Sequence, residues 1–243
     1  MRIAIIGAGM AGLSCGQALA ALGHEPVVFD KGRGPGGRMA TRRIATAAGE
    51  ASFDHGAQYF TARDPVFINL MERLEQQGDA ARWPLAGGDA WVGVPGMNAV
   101  IRAMAGGLDV RFAALVSGIE RVCGQWRLRL GGEEEGPFDA VILAIPAEQA
   151  ATLLSLHDFE LARVALRARS QPCWTGMFAF AETVLAPDTP IRERDNISWA
   201  VRNSAKPGRT GPESWVVQAQ PAWTEQRLEQ RAEDIGPQLL TIL

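Results

Sequence analysis

Apolar and polar positions lay out an alternation of strands and helices from the first residue. Arg2–Ile6 is a short apolar run, a helical stretch follows to about Leu22, and Glu25–Phe29 is a second apolar run closed by Asp30. Together they predict a β-α-β unit. Asp64-Pro65 supplies an N-cap acid and a proline at the first helical position, so a helix is expected to about Gln77. Ala90–Val94 predicts a strand, and Pro95-Gly96-Met97 leads into a helix over Asn98–Ala105. Strands are expected at Val110–Ala114, Val116–Val122 and Trp126–Leu130, the last from its alternation. Ala140–Ala144 has the apolar character of a parallel-sheet strand, and Pro146 opens the next helix. Runs near Trp174–Ala181, Ser198–Arg202 and Trp215–Ala219 predict a further sheet. Gly236-Pro237 predicts a helix restart, leaving a final apolar turn with an uncovered hydrophobic face. The pattern is that of an α/β fold with inserted antiparallel strands and discontinuous domains.

Composition narrows the class. The chain has 243 residues, 47% of them hydrophobic, enough for one large or two intimate domains with a sizeable core. A net charge of −3 gives no electrostatic case for nucleic acid. No apolar run approaches the ~20 residues that span a bilayer, so no membrane association is expected. Three scattered cysteines, Cys15, Cys123 and Cys173, suit free thiols in a reducing cytoplasm, with Cys15 on the buried side of the first helix.

The glycines of Gly7-Ala8-Gly9-Met10-Ala11-Gly12 have separate duties. Gly7 permits the tight turn out of the first strand, Gly9 admits a pyrophosphate close to the backbone, and Gly12 lets the helix pack on the sheet. The helix N-terminus, including Met10 and Ala11, directs unpaired N–H groups and a positive dipole end at the phosphates. Asp30 lies where an acid accepts the ribose hydroxyls, and it would repel a 2′-phosphate. A second glycine cluster, Gly32 to Met39, follows at once. An NAD-binding unit has no general need for a Gly-Gly-Arg there. In FAD enzymes of the glutathione-reductase type the corresponding segment turns back under the cofactor, where a guanidinium makes charge-assisted hydrogen bonds. Lys31, Gly37, Arg38 and Met39 are therefore candidate FAD contacts, in a stretch made basic by Arg33, Arg42 and Arg43. The alternative is a solvated basic loop or a nucleic-acid arm, against which continuity with the dinucleotide motif argues.

Several runs carry a specific resemblance: DKGRGPGGRMATRR, FDHGAQYFTARDP at Phe53–Pro65, WVGVPGMNAVIRAMA at Trp91–Ala105, ISWAVRNSAKPGR at Ile197–Arg209, and ESWVVQAQPAWT at Glu213–Thr224. They are similar to bacterial renalase-like proteins, a branch of the flavin amine oxidase superfamily. The resemblance implies an FAD flavoprotein with an FAD-binding Rossmann-like domain and an inserted antiparallel-sheet substrate domain, p-hydroxybenzoate-hydroxylase-like. The expected FAD-binding domain comprises residues 1–75 and 95–155, and the substrate domain 76–94 and 156–243. The implied activity is oxidation of reduced pyridine dinucleotides, the dihydro-NAD(P) isomers, with dioxygen as acceptor and release of hydrogen peroxide. By the same resemblance Gly56, Ala57 and Gln58 lie along the flavin ring, with backbone N–H groups for its N5 or O4 edge. Val116 sits where the superfamily cups the adenine.

Hydride transfer to a flavin needs no protein nucleophile, and no catalytic residue is assigned. His24, His55 and His157 are too scattered for a zinc site. Tyr59 is either a site phenol or a packed edge residue. Trp174, Trp199, Trp215 and Trp223 either wall a flat nicotinamide site or pack a core. Arg202, Asn203, Lys206 and Arg209 form a basic, polar stretch that either meets the phosphates of a dinucleotide or, for the last two, is a solvated loop.

Superfamily members that oxidise amines often place a lysine near flavin N5 and tether the flavin through cysteine or histidine. No residue here is assigned to either role, as in renalases. Family members also continue to a strand and helix with a Gly-Asp motif for the ribityl chain. That segment, one wall of the flavin site, is expected to be missing from this sequence. Two alternatives therefore stand beside renalase-like oxidation: an amine oxidase or desaturase acting on another small substrate, and a nucleotide-binding remnant without turnover.

Overall fold

The computed structural model of the chain describes residues 1–186 and 188–243. These divide into two compact units, Met1–Gly37 with Ile101–Ser170, and Arg38–Val100 with Gln171–Leu243.

The first unit is built on a parallel sheet in the order Ala140–Leu143, Arg2–Ile6, Glu25–Phe29, Asp109–Arg111. Side chains alternate across it. Ala4, Ile6, Val27 and Phe29 face one way and pack with Val116, Leu128 and Phe138 of an antiparallel sheet formed by Val116–Val122, Gln125–Leu130 and Glu133–Phe138. Phe29 and Phe138 meet edge to face at 5.9 Å. Ile5 and Val28 face the other way, toward Gly16 of the helix Met10–Ala21. Burial on both faces is why these strands read as unbroken apolar runs. The strand expected at Val110–Ala114 is shorter, at Asp109–Arg111. Ala113 adopts a left-handed φ of 54° and donates its N–H to Gly32 O at 2.7 Å, which turns the chain out of the sheet. Cys15 is half-buried rather than fully enclosed.

The second unit centres on an antiparallel sheet in the order Thr175–Phe180, Glu213–Ala219, Ile197–Arg202, Ile191–Arg194. A hairpin, Thr41–Thr46 with Gly49–Asp54, replaces the basic loop that was the alternative for Arg42 and Arg43. Its Ala51 and Phe53 bury against Val216, so residues 38–75 are compact with this unit, although the expected FAD-binding domain included them. The helix Pro65–Gln77 starts as anticipated, with Asp64 accepting from the N–H groups of Val66 and Phe67.

The C-terminal expectation is corrected. Ala232–Ile242 is one helix running through Pro237, with no restart at Gly236. Ile235 and Leu239, on either side of the proline, are buried with Ile197, Ala200, Val217, Ala219 and Trp223. Burial of both outweighs the hydrogen bond that proline forgoes. The face expected to lie uncovered is part of this core. Among the described residues no helix is long and apolar enough to cross a membrane, and no group of three or more His, Cys, Asp or Glu is placed to hold a metal ion.

Candidate functional site

In the first unit the glycine turn has the geometry a phosphate cradle requires. Gly7 sits at φ +110°, and a Cβ there would lie 2.5 Å from Ala144 O. A Cβ on Gly12 would lie 1.9 Å from Gly7 O, so only glycine lets the helix start so close to the turn. Gly9 differs: its φ of −81° suits any residue, and a Cβ would meet nothing within 4 Å. Its smallness is not used by the protein, and open space lies over the N-terminus of the helix Met10–Ala21, whose cap Gly9 provides no side-chain acceptor. The fit to an anionic pyrophosphate is good on both counts. Gly37, at φ +54°, brings the second glycine segment alongside, with a Cβ position 3.8 Å from Gly9 Cα.

Asp30 braces both segments. Its Oδ2 accepts the Ala8 N–H at 2.7 Å and its Oδ1 accepts the Gly32 N–H at 2.7 Å. Each carboxylate oxygen can take a second donor, so a ribose hydroxyl remains compatible with this bracing. Lys31 is exposed and reaches Gln149 Oε1 at 3.4 Å. Val116 is buried, its side chain committed to the core.

In the second unit Arg38 is exposed and Met39 buried. The Gly56–Gln58 turn is held from several sides. Ala57 donates its N–H to Arg38 O at 2.8 Å, so of the three backbone donors expected at a flavin edge this one is already spent. Gly56 O accepts from Gln58 Nε2 at 3.1 Å and from Gln218 Nε2 at 2.8 Å. A Cβ on Gly56 would lie 2.1 Å from Arg38 O. Gln58 Nε2 also donates to Asp54 O.

Behind this turn lies a charge cluster that sequence reasoning missed. Asp54 is fully buried. Its Oδ2 accepts from Lys206 Nζ at 3.2 Å and from Arg209 Nη2 at 2.6 Å, and its Oδ1 from Thr41 Oγ1 at 2.7 Å and Met97 N at 3.0 Å. Lys206 Nζ also donates to Gln58 Oε1 at 3.0 Å. Burial alone would raise the Asp54 pKa, but Lys206 and Arg209 more than offset it and hold it below the ordinary 3.8. Burial pulls Lys206 down to about 8, opposed by Asp54 and reinforced by Arg209. Burial and Arg42 also lower His55, with Asp54 acting the other way.

This corrects the reading of 202–209 as phosphate-facing or solvated. Lys206 and Arg209 side chains are 0% and 1% exposed, and both pair with Asp54. Asn203 is buried and donates to Ser52 O at 2.8 Å. Arg202 pairs with Asp188 and Glu213 at 3.1 and 3.2 Å. These groups already have partners, and phosphate would have to displace them. Of the tryptophans, Trp215 and Trp223 are core residues. Trp174 donates its indole N–H to Arg227 O at 3.1 Å. Trp199 instead stacks on Tyr59 at 5.3 Å, and Trp83 meets Tyr59 at 6.4 Å. Arg192 lies over the Trp199 and Tyr59 rings at 4.8 and 5.6 Å, and Lys206 over Trp83 at 5.5 Å.

Comparison with known proteins places the chain. Residues 84–241 match the family model for flavin containing amine oxidoreductases, and residues 5–74 that for an NAD(P)-binding Rossmann-like domain. The chain is 34% identical over 83 residues to a 15-cis-phytoene desaturase of Synechococcus elongatus, a match covering 34% of this chain and 17% of the desaturase. Among solved structures, a putative protoporphyrinogen oxidase from Exiguobacterium sp. 255-15 superposes with a TM-score of 0.65 at 14% identity, over 97% of this chain and 83% of that one. An engineered putrescine oxidase gives 0.70 at 15% identity, over 96% and 78%. At such identities the structures share the fold alone. The chain belongs to the flavin containing amine oxidoreductase family, an α/β Rossmann-like flavoprotein fold, and its cofactor is FAD.

Proposed function

We propose that the protein is an FAD-dependent oxidoreductase of the renalase-like branch, oxidising reduced pyridine dinucleotides with dioxygen as acceptor. The domain plan inferred is of the glutathione-reductase type with a p-hydroxybenzoate-hydroxylase-like substrate domain. Gly7, Gly9 and Gly12 with Asp30 would hold the ADP half of the cofactor, joined by Met10, Ala11, Lys31 and Gly37. Arg38, Met39 and the Gly56–Gln58 turn would serve its flavin end, and Val116 the adenine. FAD when bound supplies a two-electron acceptor that can pass those electrons to dioxygen.

The observation that carries the substrate assignment is the cationic character of the aromatic surface. Arg192 lies over the Tyr59 and Trp199 rings and Lys206 over the Trp83 ring. An ammonium substrate would meet like charge there, whereas a dihydronicotinamide is uncharged, electron-rich and attached to phosphates. The protein's own work is to hold the donor ring and fix the turn. Overall, a dihydropyridine, dioxygen and one proton give the pyridinium and hydrogen peroxide, so charge and electrons balance. Three free, well-separated cysteines support a reducing, cytoplasmic setting.

The test mixes the FAD-loaded protein without oxygen first with NADH isomers and then with simple amines, following flavin absorbance. Bleaching by the dihydronicotinamides supports the proposal. Bleaching by amines alone rejects it in favour of the amine oxidase reading.

A further inference from the structure

The Asp54 cluster holds one more charge than its own stability requires. Asp54 and Arg209 form a balanced buried pair at 2.6 Å. Lys206 adds a second cation at 3.2 Å from the same carboxylate, so the three buried groups together carry a net positive charge. Burial lowers the Lys206 pKa to about 8 against the pull of Asp54, and Arg209 adds to the fall, so the ammonium is poorly compensated. What sets Lys206 apart from Arg209 is where else it donates. Arg209 turns to the carbonyls of Gly93 and Pro207, whereas Lys206 Nζ reaches the side-chain oxygen of Gln58 at 3.0 Å.

That contact fixes an amide. An ammonium only donates, so it holds Gln58 Oε1 toward itself and directs Nε2 at the carbonyls of Asp54 and Gly56. The reversed amide would set –NH2 against –NH3+ and its oxygen against two carbonyls. Gln218 Nε2 gives Gly56 O a second donor at 2.8 Å. At the other end of the same peptide unit, Ala57 N–H donates to Arg38 O at 2.8 Å. The Gly56–Ala57 peptide is thus pinned at both its carbonyl and its N–H. We propose that Lys206 is a positioning residue: through the Gln58 amide it holds the Gly56–Ala57 peptide in one orientation, and so tunes the midpoint potential of the flavin beside that turn. The flavin's place there rests on the proposed function, whereas the clamp is made by this chain's own residues. The N–H groups of Gly56 and Gln58 flank the pinned peptide, and a donor held at the N5 or O4 edge stabilises reduced flavin.

The test compares wild type with Lys206→Met and Gln58→Leu, each as the FAD-loaded full chain. Hydrogen exchange of the Ala57 amide is read by NMR against the amides of the central strand Glu213–Ala219, so a general loss of stability, which speeds both, cancels. Each variant is expected to speed exchange at Ala57 roughly tenfold relative to that strand. Reduction by dithionite beside a reference dye then gives the flavin midpoint potential with no pyridine dinucleotide present. In both variants the ratio of reduced to oxidised flavin should drop about tenfold at a given potential, a midpoint lower by ~30 mV for a two-electron couple. Unchanged Ala57 exchange in Lys206→Met overturns the proposal, as does a midpoint that moves in Gln58→Leu alone or in neither variant. Failure here is separable from failure of the proposed function. Both shifts as expected, in protein that no dihydronicotinamide reduces, would reject the activity alone, and dihydronicotinamide oxidation with unmoved exchange would reject this role alone.

Discussion

Replacing Asp54 by Asn keeps the side-chain shape and removes one charge. The Asn Oδ1 can still accept from Thr41 and Met97, which bond the wild-type Oδ1 at 2.7 and 3.0 Å. Its Nδ2 then presents hydrogens to Lys206 and Arg209, whose side chains are 0% and 1% exposed. Removing one partner of a buried ion pair costs about 3–5 kcal/mol. For a chain of this size, at ~2–4 °C per kcal/mol, the thermal midpoint should fall by roughly 6–20 °C at neutral pH. Lys206 limits the damage. Its pKa is about 8 beside Asp54 and lower without that carboxylate, so the variant releases this proton first and the deficit should shrink as the pH rises toward 8. Lys206→Met should cost less than Asp54→Asn, because it leaves Asp54 and Arg209 as a balanced pair at 2.6 Å. Differential scanning calorimetry on wild type and both variants decides the matter. An Asp54→Asn midpoint within about 2 °C of wild type refutes the account of the cluster, as does Lys206→Met proving the more damaging.

Three further outcomes follow from the same geometry. Gly9→Val should fold normally yet bind no FAD, since the added side chain meets only open space, whereas Gly12→Val should fail to fold because its Cβ would lie 1.9 Å from Gly7 O; circular dichroism with flavin absorbance separates the two, and a yellow Gly9→Val protein refutes the cradle. Arg38→Ala should weaken FAD by about 1.5–3 kcal/mol through lost charge-assisted hydrogen bonds, and an unchanged dissociation constant by fluorescence titration counts against that contact. Stability should rise with pH in two separate limbs, one acid and one alkaline. Asp54 titrates below 3.8 when folded, so its contribution is present above that value and lost as pH falls through the lower native pKa. Lys206 titrates near 8 rather than 10.5, so across that interval the unfolded chain holds a proton the native one has released, and this group makes stability rise with pH. Urea titrations across pH should lose the acid limb in Asp54→Asn and the alkaline rise in Lys206→Met.

What could be read from the sequence was what neighbouring residues decide. Gly7 and Gly12 act on atoms a few positions away or on the next strand, and Asp64-Pro65 caps its own helix, so both elements appear where the pattern put them. The Asp54 cluster joins residues 152 and 155 positions apart, and no local pattern encodes that meeting. A lysine and an arginine bracketing Pro207-Gly208 look like a solvated turn until the carboxylate that buries them is in view. The hairpin from Thr41 to Asp54 was hidden by its charge: Arg42, Arg43 and Glu50 stand on exposed positions, while Ala51, Phe53 and Asp54 are buried and Ile44 packs against the first two. Pro237 shows a local rule overruled, because Ile235 and Leu239 both gain a core. Of the aromatic group, Trp199 was legible as an alternative, while Trp83 carried no signal of its own. The two are linked by Tyr59, a contact only tertiary structure makes.

The central claim is that this chain, loaded with FAD, takes electrons from a dihydronicotinamide and delivers them to dioxygen. The most direct measurement is an anaerobic titration with NADH isomers at the flavin absorbance maximum, followed by admission of air with peroxide detection. The account predicts loss of the flavin band at about one equivalent, its return in air, and one peroxide per dihydronicotinamide consumed. A flavin band unchanged by every NADH isomer, in protein shown to hold FAD, would contradict it.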